Sequence, residues 1–154
     1  MRELQRKVFA KQMDLAVSLK KPLVVHTRFA EEDTLELMEK HLPAEHPVHV
    51  HCFTSSNTLA QALLERFSTL RLGFTGVVTF KNAPEVQEVV RNTPLERILL
   101  ETDSPYMAPE PLRGRIAHPG HVSYVADKIA DLKGVSRAEV LATCRKSTRL
   151  IYGI

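Results

Sequence analysis

Apolar and polar positions divide this chain into two kinds of segment. In some segments the apolar residues recur at helical spacing, whereas in others almost every residue of a short run is apolar. The helical spacing predicts helices over residues 2–19, 31–41, 56–67, 83–91, 121–132 and 136–153. The short runs predict strands within PLVVHTR (22–28), PVHVHCF (47–53), RLGFTGVVTF (71–80) and RILLETD (97–103).

The order of these segments predicts an α/β fold. Strands that alternate with helices are typical of a parallel sheet, and nearly continuous apolar runs indicate strands that are covered on both faces. Residues 105–120 hold four prolines and two glycines, so a loop is expected there. Ser136 and Glu139 have the spacing of a capping box, in which each side chain bonds the other's backbone amide at the start of a helix.

Composition and length limit the class of protein. The 154 residues are 44% hydrophobic and 25% charged, which is typical of one globular domain over residues 1–154. We expect no membrane association, because no stretch approaches the ~18 apolar residues of a membrane span. The first twenty residues are charged throughout and lack the apolar region of a signal peptide. Two cysteines and this start predict an intracellular protein, cytoplasmic or nuclear.

Three of the four apolar runs contain residues that bind metals or transfer protons. These residues are His26 and Arg28 in the first run, His49 and His51 in the second, and Glu101 and Asp103 in the fourth. In parallel α/β folds, active sites gather where the strands end. Two histidines and a carboxylate that meet there predict a metal site, of the kind that hydrolases use.

Each of these residues also has a simpler interpretation. A single histidine on a strand is more often a hydrogen-bonded core residue than a ligand, and an aspartate before a Ser-Pro turn often caps that turn. By alternation Cys52 points away from His51, so core packing is expected for it. Surface positions are expected for the other histidines considered, which are His41, His46, His118 and His121.

Four motifs in order resemble the TatD family of metal-dependent deoxyribonucleases. They are PLVVHTR, VHVHCFTSS, LGFTGVVTF and RILLETDSPYMAP, and the C-terminal segment from VADKIADLKGVS to the end is similar to the family's closing helices. The resemblance implies an amidohydrolase-like TIM barrel, the (β/α)₈ fold, of which this chain holds the C-terminal half. About four parallel strands with surrounding helices are therefore expected, as one partial metal-dependent hydrolase domain.

Carried over by position, the resemblance implies roles for five residues. His26, His51 and Asp103 would bind divalent metal ions, either Mg²⁺, Mn²⁺ or Zn²⁺, and Asp103 would also act as the catalytic base. Arg28 would contact a substrate phosphate, and Glu101 would support a metal ligand from behind. The expected activity is hydrolysis of phosphodiester bonds in DNA.

The motifs that the family carries on its first and fourth strands, a His-x-His pair and a glutamate, are not among these segments. Weak activity of this chain by itself is therefore expected. Two alternatives stay open, namely a catalytically silent half barrel that acts as a binding or regulatory module, and an amidohydrolase-type enzyme that acts on another ester. Because a half barrel leaves sheet edges open, self-association or pairing with another chain is also expected.

Overall fold

Four parallel strands form a single sheet in which the spatial order follows the chain, β1-β2-β3-β4. The computed structural model describes residues 1–154. The strands are β1 (Leu23–Val25), β2 (Val48–Val50), β3 (Arg71–Phe74) and β4 (Ile98–Leu100). The helices are α1 (Arg2–Ser18), α2 (Glu31–His41), α3 (Asn57–Arg66), α4 (Pro84–Asn92), α5 (Val122–Lys133) and α6 (Arg137–Tyr152). The predicted α/β fold with four parallel strands is confirmed.

The strands are in a register that brings their ends to the same edge of the sheet. Val25 lies opposite Val50, Val50 lies opposite Leu72, and Phe74 lies opposite Leu100. Every connection therefore leaves the sheet at the carboxyl ends of the strands and returns at their amino ends, as parallel pairing requires. The loops that follow β1, β2, β3 and β4 all begin at the carboxyl ends, so their first residues lie near one another.

A continuous apolar core of 26 buried residues joins the sheet to the helices. Its largest fully buried side chains include Phe67, Phe74, Met38, Leu72 and Ile129, which come from α2, α5, β3 and the segment after α3. Burial of a side chain of this size contributes about 1.5–3 kcal/mol, so this core accounts for the main driving force of folding. None of the helices combines the length and the hydropathy needed to cross a bilayer.

Polar contacts tie the outer elements to this core. The guanidinium of Arg97, just before β4, donates to the backbone carbonyl oxygens of Leu70 and Phe67, which lie between α3 and β3. At the other end of the sheet, Arg2 and Arg6 of α1 both bond Asp33 in the first turn of α2. These bonds hold α1 against α2, the element that follows β1.

The third apolar run is only partly a strand. A strand was predicted within residues 71–80, and β3 covers only Arg71–Phe74 of them, whereas Gly76–Thr79 forms a 3-10 helix. The loop after β4 packs closely against this helix, since a side chain at Gly76 would collide with the backbone carbonyl of Met107. Thr79 accepts a bond from the backbone amide of Glu110, which fixes this loop against the 3-10 turn.

Two further local predictions need correction. Ser136 caps α6 by accepting from the Glu139 amide at 3.1 Å, but the side chain of Glu139 makes no return bond, so the capping box is only half formed. His46, expected at the surface, is only 7% exposed. It is buried because the turn that carries it packs under the start of β3, where Thr69 donates to the His46 carbonyl oxygen.

Candidate metal centre

His51 and Glu101 meet just beyond the ends of β2 and β4. Nδ1 of His51 lies 2.6 Å from Oε1 of Glu101, and the other carboxylate oxygen accepts from the Cys52 backbone amide at 2.9 Å. Cys52 has a φ of +47°, which is uncommon for a residue with a side chain. This left-handed turn directs the amide toward Glu101, so the carboxylate is held from two sides.

Asp103 faces the opposite nitrogen of the same imidazole. Its Oδ1 lies 3.0 Å from Nε2 of His51, and its side chain is 19% exposed. His51 is therefore placed between two carboxylates, with Glu101 behind it and Asp103 toward the solvent. This is the arrangement of a metal-ligating histidine, in which one ring nitrogen donates to a supporting carboxylate and the other is directed at the metal position.

The electrostatics of the pair follow from this geometry. Burial of the His51 ring disfavours its charged form, but the hydrogen bond and charge of Glu101, together with Asp103, outweigh burial and raise the pKa of His51. Burial likewise disfavours the Glu101 carboxylate, yet its contacts with His49 and His51 and the Cys52 amide hold its pKa below the usual range. Glu101 is therefore ionised at neutral pH and available to orient its neighbours.

His49 is a third histidine of this cluster. It is 6% exposed, and its Nε2 lies 2.9 Å from Oε1 of Glu101 without forming a hydrogen bond of good geometry to any neighbour. Alternation along the second strand places His49 on the same face as His51, but no role follows from that pattern alone. The strand pattern did not indicate that the side chains of His49 and His51 both face Glu101.

Gly73 of β3 makes room for the cluster. A Cβ atom at this position would overlap Oε2 of Glu101 and would lie 2.5 Å from Nε2 of His49. Between β2 and β4, only a residue without a side chain leaves space for a carboxylate and an imidazole to meet across the strand. Glycine in the third strand is thus part of the site, a role for which the apolar run LGF offers no signal.

His26 and Arg28 lie at the edge of the cluster, after the end of β1. The ring centroids of His26 and His51 are 5.8 Å apart. Arg28 is exposed, and its guanidinium lies 5.2 Å from the ring centroid of Phe29. Both residues line a groove of about 640 Å³ that is bounded by α1 and the first turn of α2.

The donor set fits a divalent metal ion. His49, His51 and Glu101 each offer one ligand atom, and these atoms all lie within 4.8 Å of one another. The buried Nε2 of His49 has no hydrogen-bond partner. A cation near this atom, or a group that shares a proton with it, would explain why it is buried without one. Imidazole nitrogens suit zinc, whereas carboxylate oxygens suit magnesium and manganese, so this mixed set of donors is compatible with all three ions.

The residues predicted from sequence are thus brought to one edge of the sheet. His51 contacts Asp103 and Glu101 directly, and His26 lies beside His51, whereas Arg28 lines the groove and pairs with neither carboxylate. Which of these side chains bind metal stays a prediction. The geometry adds His49 and Gly73 to the residues that form the site.

Comparison with known proteins places the chain in a family. The profile of the family described as TatD related DNase matches residues 1–153. The human protein named 3'-5' RNA nuclease TATDN2 is 43% identical over 153 residues, which cover 97% of this chain and 20% of that protein. The uncharacterized metal-dependent hydrolase YabD of Bacillus subtilis (strain 168) is 34% identical over 153 residues, which cover 99% of this chain and 59% of that protein.

A solved structure supports the fold independently. The crystal structure of YJJV, a TatD homolog from Escherichia coli K12, superimposes with a TM-score of 0.89 at 23% identity, covering 99% of this chain and 57% of that one. At this identity the likeness shows the fold alone, which is that of part of a TatD barrel. The chain spans a fifth of the human relative and about three fifths of the bacterial one. Because the family profile extends over almost every residue, the chain belongs to the TatD related DNase family.

Proposed function

We propose that this chain forms the half of a metal-dependent nuclease that carries His26, His51 and Asp103, and that the reaction is hydrolysis of phosphodiester bonds. The observation that carries the proposal is the placement of His51 between Glu101, at 2.6 Å, and Asp103, at 3.0 Å. In metal-dependent hydrolases, one carboxylate accepts from the imidazole nitrogen that is remote from the metal and so orients the ring. A second carboxylate on the metal side can bind the ion or accept a proton from water.

Each residue has a distinct role in this proposal. His26, His51 and Asp103 would hold the metal, and His51 would offer Nε2 to it, because Nδ1 is bonded to Glu101. A bound divalent ion lowers the pKa of water and offsets the charge that develops on phosphate. Asp103 accepts the proton of the attacking water, since it is the carboxylate nearer to solvent. Arg28, exposed beside the groove, contacts a phosphate through its planar fork of donors.

DNA is the proposed substrate, and RNA is the second candidate. Phosphodiester hydrolysis of DNA is what the family resemblance implies, whereas the human relative that is 43% identical to this chain over 153 residues carries the name of an RNA nuclease. The residues that would contact metal and phosphate do not by themselves distinguish the two sugars. A direct comparison on strands of the same sequence is therefore needed.

The first experiment measures cleavage of labelled DNA and RNA strands with manganese, magnesium or zinc. It uses the 154-residue chain and a chimaera in which the rest of the barrel comes from the Bacillus subtilis relative. We expect Asp103→Asn to reduce cleavage at least about 100-fold, as loss of a general base does. Asp127→Asn is the matched control, because that carboxylate pairs with Arg137 at the surface of α5.

Three outcomes separate the proposals. Cleavage that survives Asp103→Asn would show that the catalytic assignment is wrong. Metal binding without cleavage of either nucleic acid would favour another ester substrate. If the chimaera neither binds metal nor cleaves, the non-enzymatic half barrel becomes the better interpretation. An intracellular location, cytoplasmic or nuclear, also stays a prediction, which imaging of the tagged protein tests.

A further inference from the structure

The hydroxyl of Tyr152 bonds a buried histidine that lies 103 residues earlier in the chain. The Tyr152 oxygen is 2.6 Å from Nδ1 of His49, and the two rings meet edge to face with centroids 6.1 Å apart. Tyr152 is the last residue of α6, and His49 is the middle residue of β2. The end of the last helix is thereby connected to the strand that leads into the candidate metal centre.

The other side of the His49 ring faces Glu101. Oε1 of Glu101 lies 2.9 Å from Nε2 of His49 and 2.6 Å from Nδ1 of His51, so one oxygen is shared by two imidazoles. The remaining oxygen, Oε2, accepts from the Cys52 amide. The position of Oε1, and with it the rotation of the His51 ring, therefore depends on His49 being held in place.

We propose that Tyr152 and His49 are positioning residues, which orient Glu101 and through it the metal ligand His51. This proposal rests on the proposed function, because it assigns His51 to the metal. The Tyr152 hydroxyl donates to Nδ1 of His49, which favours the neutral ring form with its proton on Nε2. Nε2 lies 2.9 Å from Oε1 of Glu101, so this N–H dipole attracts the carboxylate although the contact lacks the geometry of a hydrogen bond. Glu101 accepts from Nδ1 of His51, so Nε2, on the side of Asp103, is the ring nitrogen that would bind a metal.

Tyr152 and His49 have no part in the proposed contacts with metal and phosphate. The experiment must therefore distinguish an effect on the orientation of His51 from an effect on the stability of the fold alone. Tyr152→Phe removes only the hydroxyl and keeps the ring that packs on His49. Tyr124→Phe is the matched control, because its ring contacts His121 in the loop before α5 and not the Glu101 cluster. Thermal unfolding of both variants shows whether the fold is retained.

The decisive measurement is nuclear magnetic resonance of the imidazole nitrogens in the metal-free chain. We expect Tyr152→Phe, but not Tyr124→Phe, to change the nitrogen signals of both His49 and His51 while the backbone amide signals of the sheet stay in place. Affinity for Mn²⁺ or Zn²⁺, measured by calorimetry, is expected to fall about ten-fold, the lower end of the effect of losing a supporting partner.

Two substitutions of His49 test the direction of the coupling. The amide of a glutamine reaches the position of Nε2, whereas that of an asparagine reaches only the position of Nδ1. We therefore expect His49→Gln to retain more metal affinity than His49→Asn. Tyr152→Phe should have little additional effect in either background, because glutamine lacks the atom that Tyr152 contacts and asparagine lacks the atom that contacts Glu101.

Specific results would overturn the inference. One is an unchanged His51 signal in Tyr152→Phe, because the hydroxyl would then not act on Glu101. Another is an equal change in Tyr124→Phe. If the chain binds no metal at all, the proposed function fails, but the signals of the metal-free protein still decide whether Tyr152 orients His51.

Discussion

Gly73 lies directly against the carboxylate of Glu101, so that a single methyl group at this position would overlap Oε2. The two residues are on neighbouring strands, β3 and the end of β4, and the contact exists only because the strands are parallel and in register. The glycine therefore determines where the carboxylate sits.

We predict that Gly73→Ala displaces Glu101 and lowers metal affinity. Overpacking of this kind costs about 1–3 kcal/mol of folding free energy, so the variant is expected to fold with reduced stability. Calorimetric titration with Mn²⁺ measures the affinity and urea unfolding measures the stability. Gly120→Ala is the control, since a methyl group there would meet only the ring of the exposed His118, at 3.1 Å from Nδ1 and 3.5 Å from Cε1. Unchanged affinity in Gly73→Ala would mean that Glu101 does not need its present position.

The cap of α6 supports a second prediction. Ser136→Ala removes the oxygen that accepts from the Glu139 amide and should reduce the free energy of unfolding by about 1 kcal/mol. Glu139→Gln should cost only about 0.3 kcal/mol, and less in high salt, because its side chain makes no return bond and acts only through the helix dipole. Urea unfolding at low and high salt compares the two. Equal losses would indicate a complete capping box in solution.

His46 predicts how stability depends on pH. Burial lowers the pKa of this imidazole, although a bond with the Lys21 backbone acts in the opposite direction. The unfolded chain, whose histidine pKa is about 6.5, therefore binds more protons than the folded one. The stabilisation is present above that value and is lost as the pH falls through the lowered pKa of the folded state.

The test compares the wild-type chain with His46→Gln in urea unfolding, at pH values from about 5 to about 7. We expect the free energy of unfolding to fall less steeply with acidity in the variant. Contributions of His51 and Glu101 are the same in both proteins and cancel in the difference. Because residues 1–154 are predicted to form one domain, each urea unfolding curve is also expected to show a single transition. Parallel pH profiles would contradict the assignment to His46.

Self-association of the 154-residue chain is a further prediction. The outer edges of β1 and β4 pair with no strand, and Val24 on β1 is 51% exposed. An open edge with an apolar side chain is a site for pairing with another strand, and a lysine there opposes it. We expect light scattering to show species larger than 17.4 kDa, and Val24→Lys to reduce the amount of these species. Val8→Lys, at an exposed position of α1, is the control. A monodisperse monomer of the wild-type chain would contradict the prediction.

Local patterns in the sequence were sufficient for most of the fold. The helical spacing of apolar residues located α1 and α2 almost to the residue, and Ser136 marked the start of α6. These features depend on residues within one or two helical turns of each other, because side-chain spacing and capping hydrogen bonds are local. The same holds for the positions of His26, His51 and Asp103 after their strands, because strand ends are local and parallel strands collect their ends at one edge.

What only the tertiary structure decided were contacts between residues that are distant along the chain. The sharing of one Glu101 oxygen by His49 and His51, the space at Gly73 and the bond from Tyr152 to His49 link positions up to 103 residues apart. The burial of His46 and the 3-10 turn at Gly76 likewise result from packing against other segments. Such contacts depend on strand register and helix placement, which are set by the packing of the whole core, so no pattern in a single segment contains them.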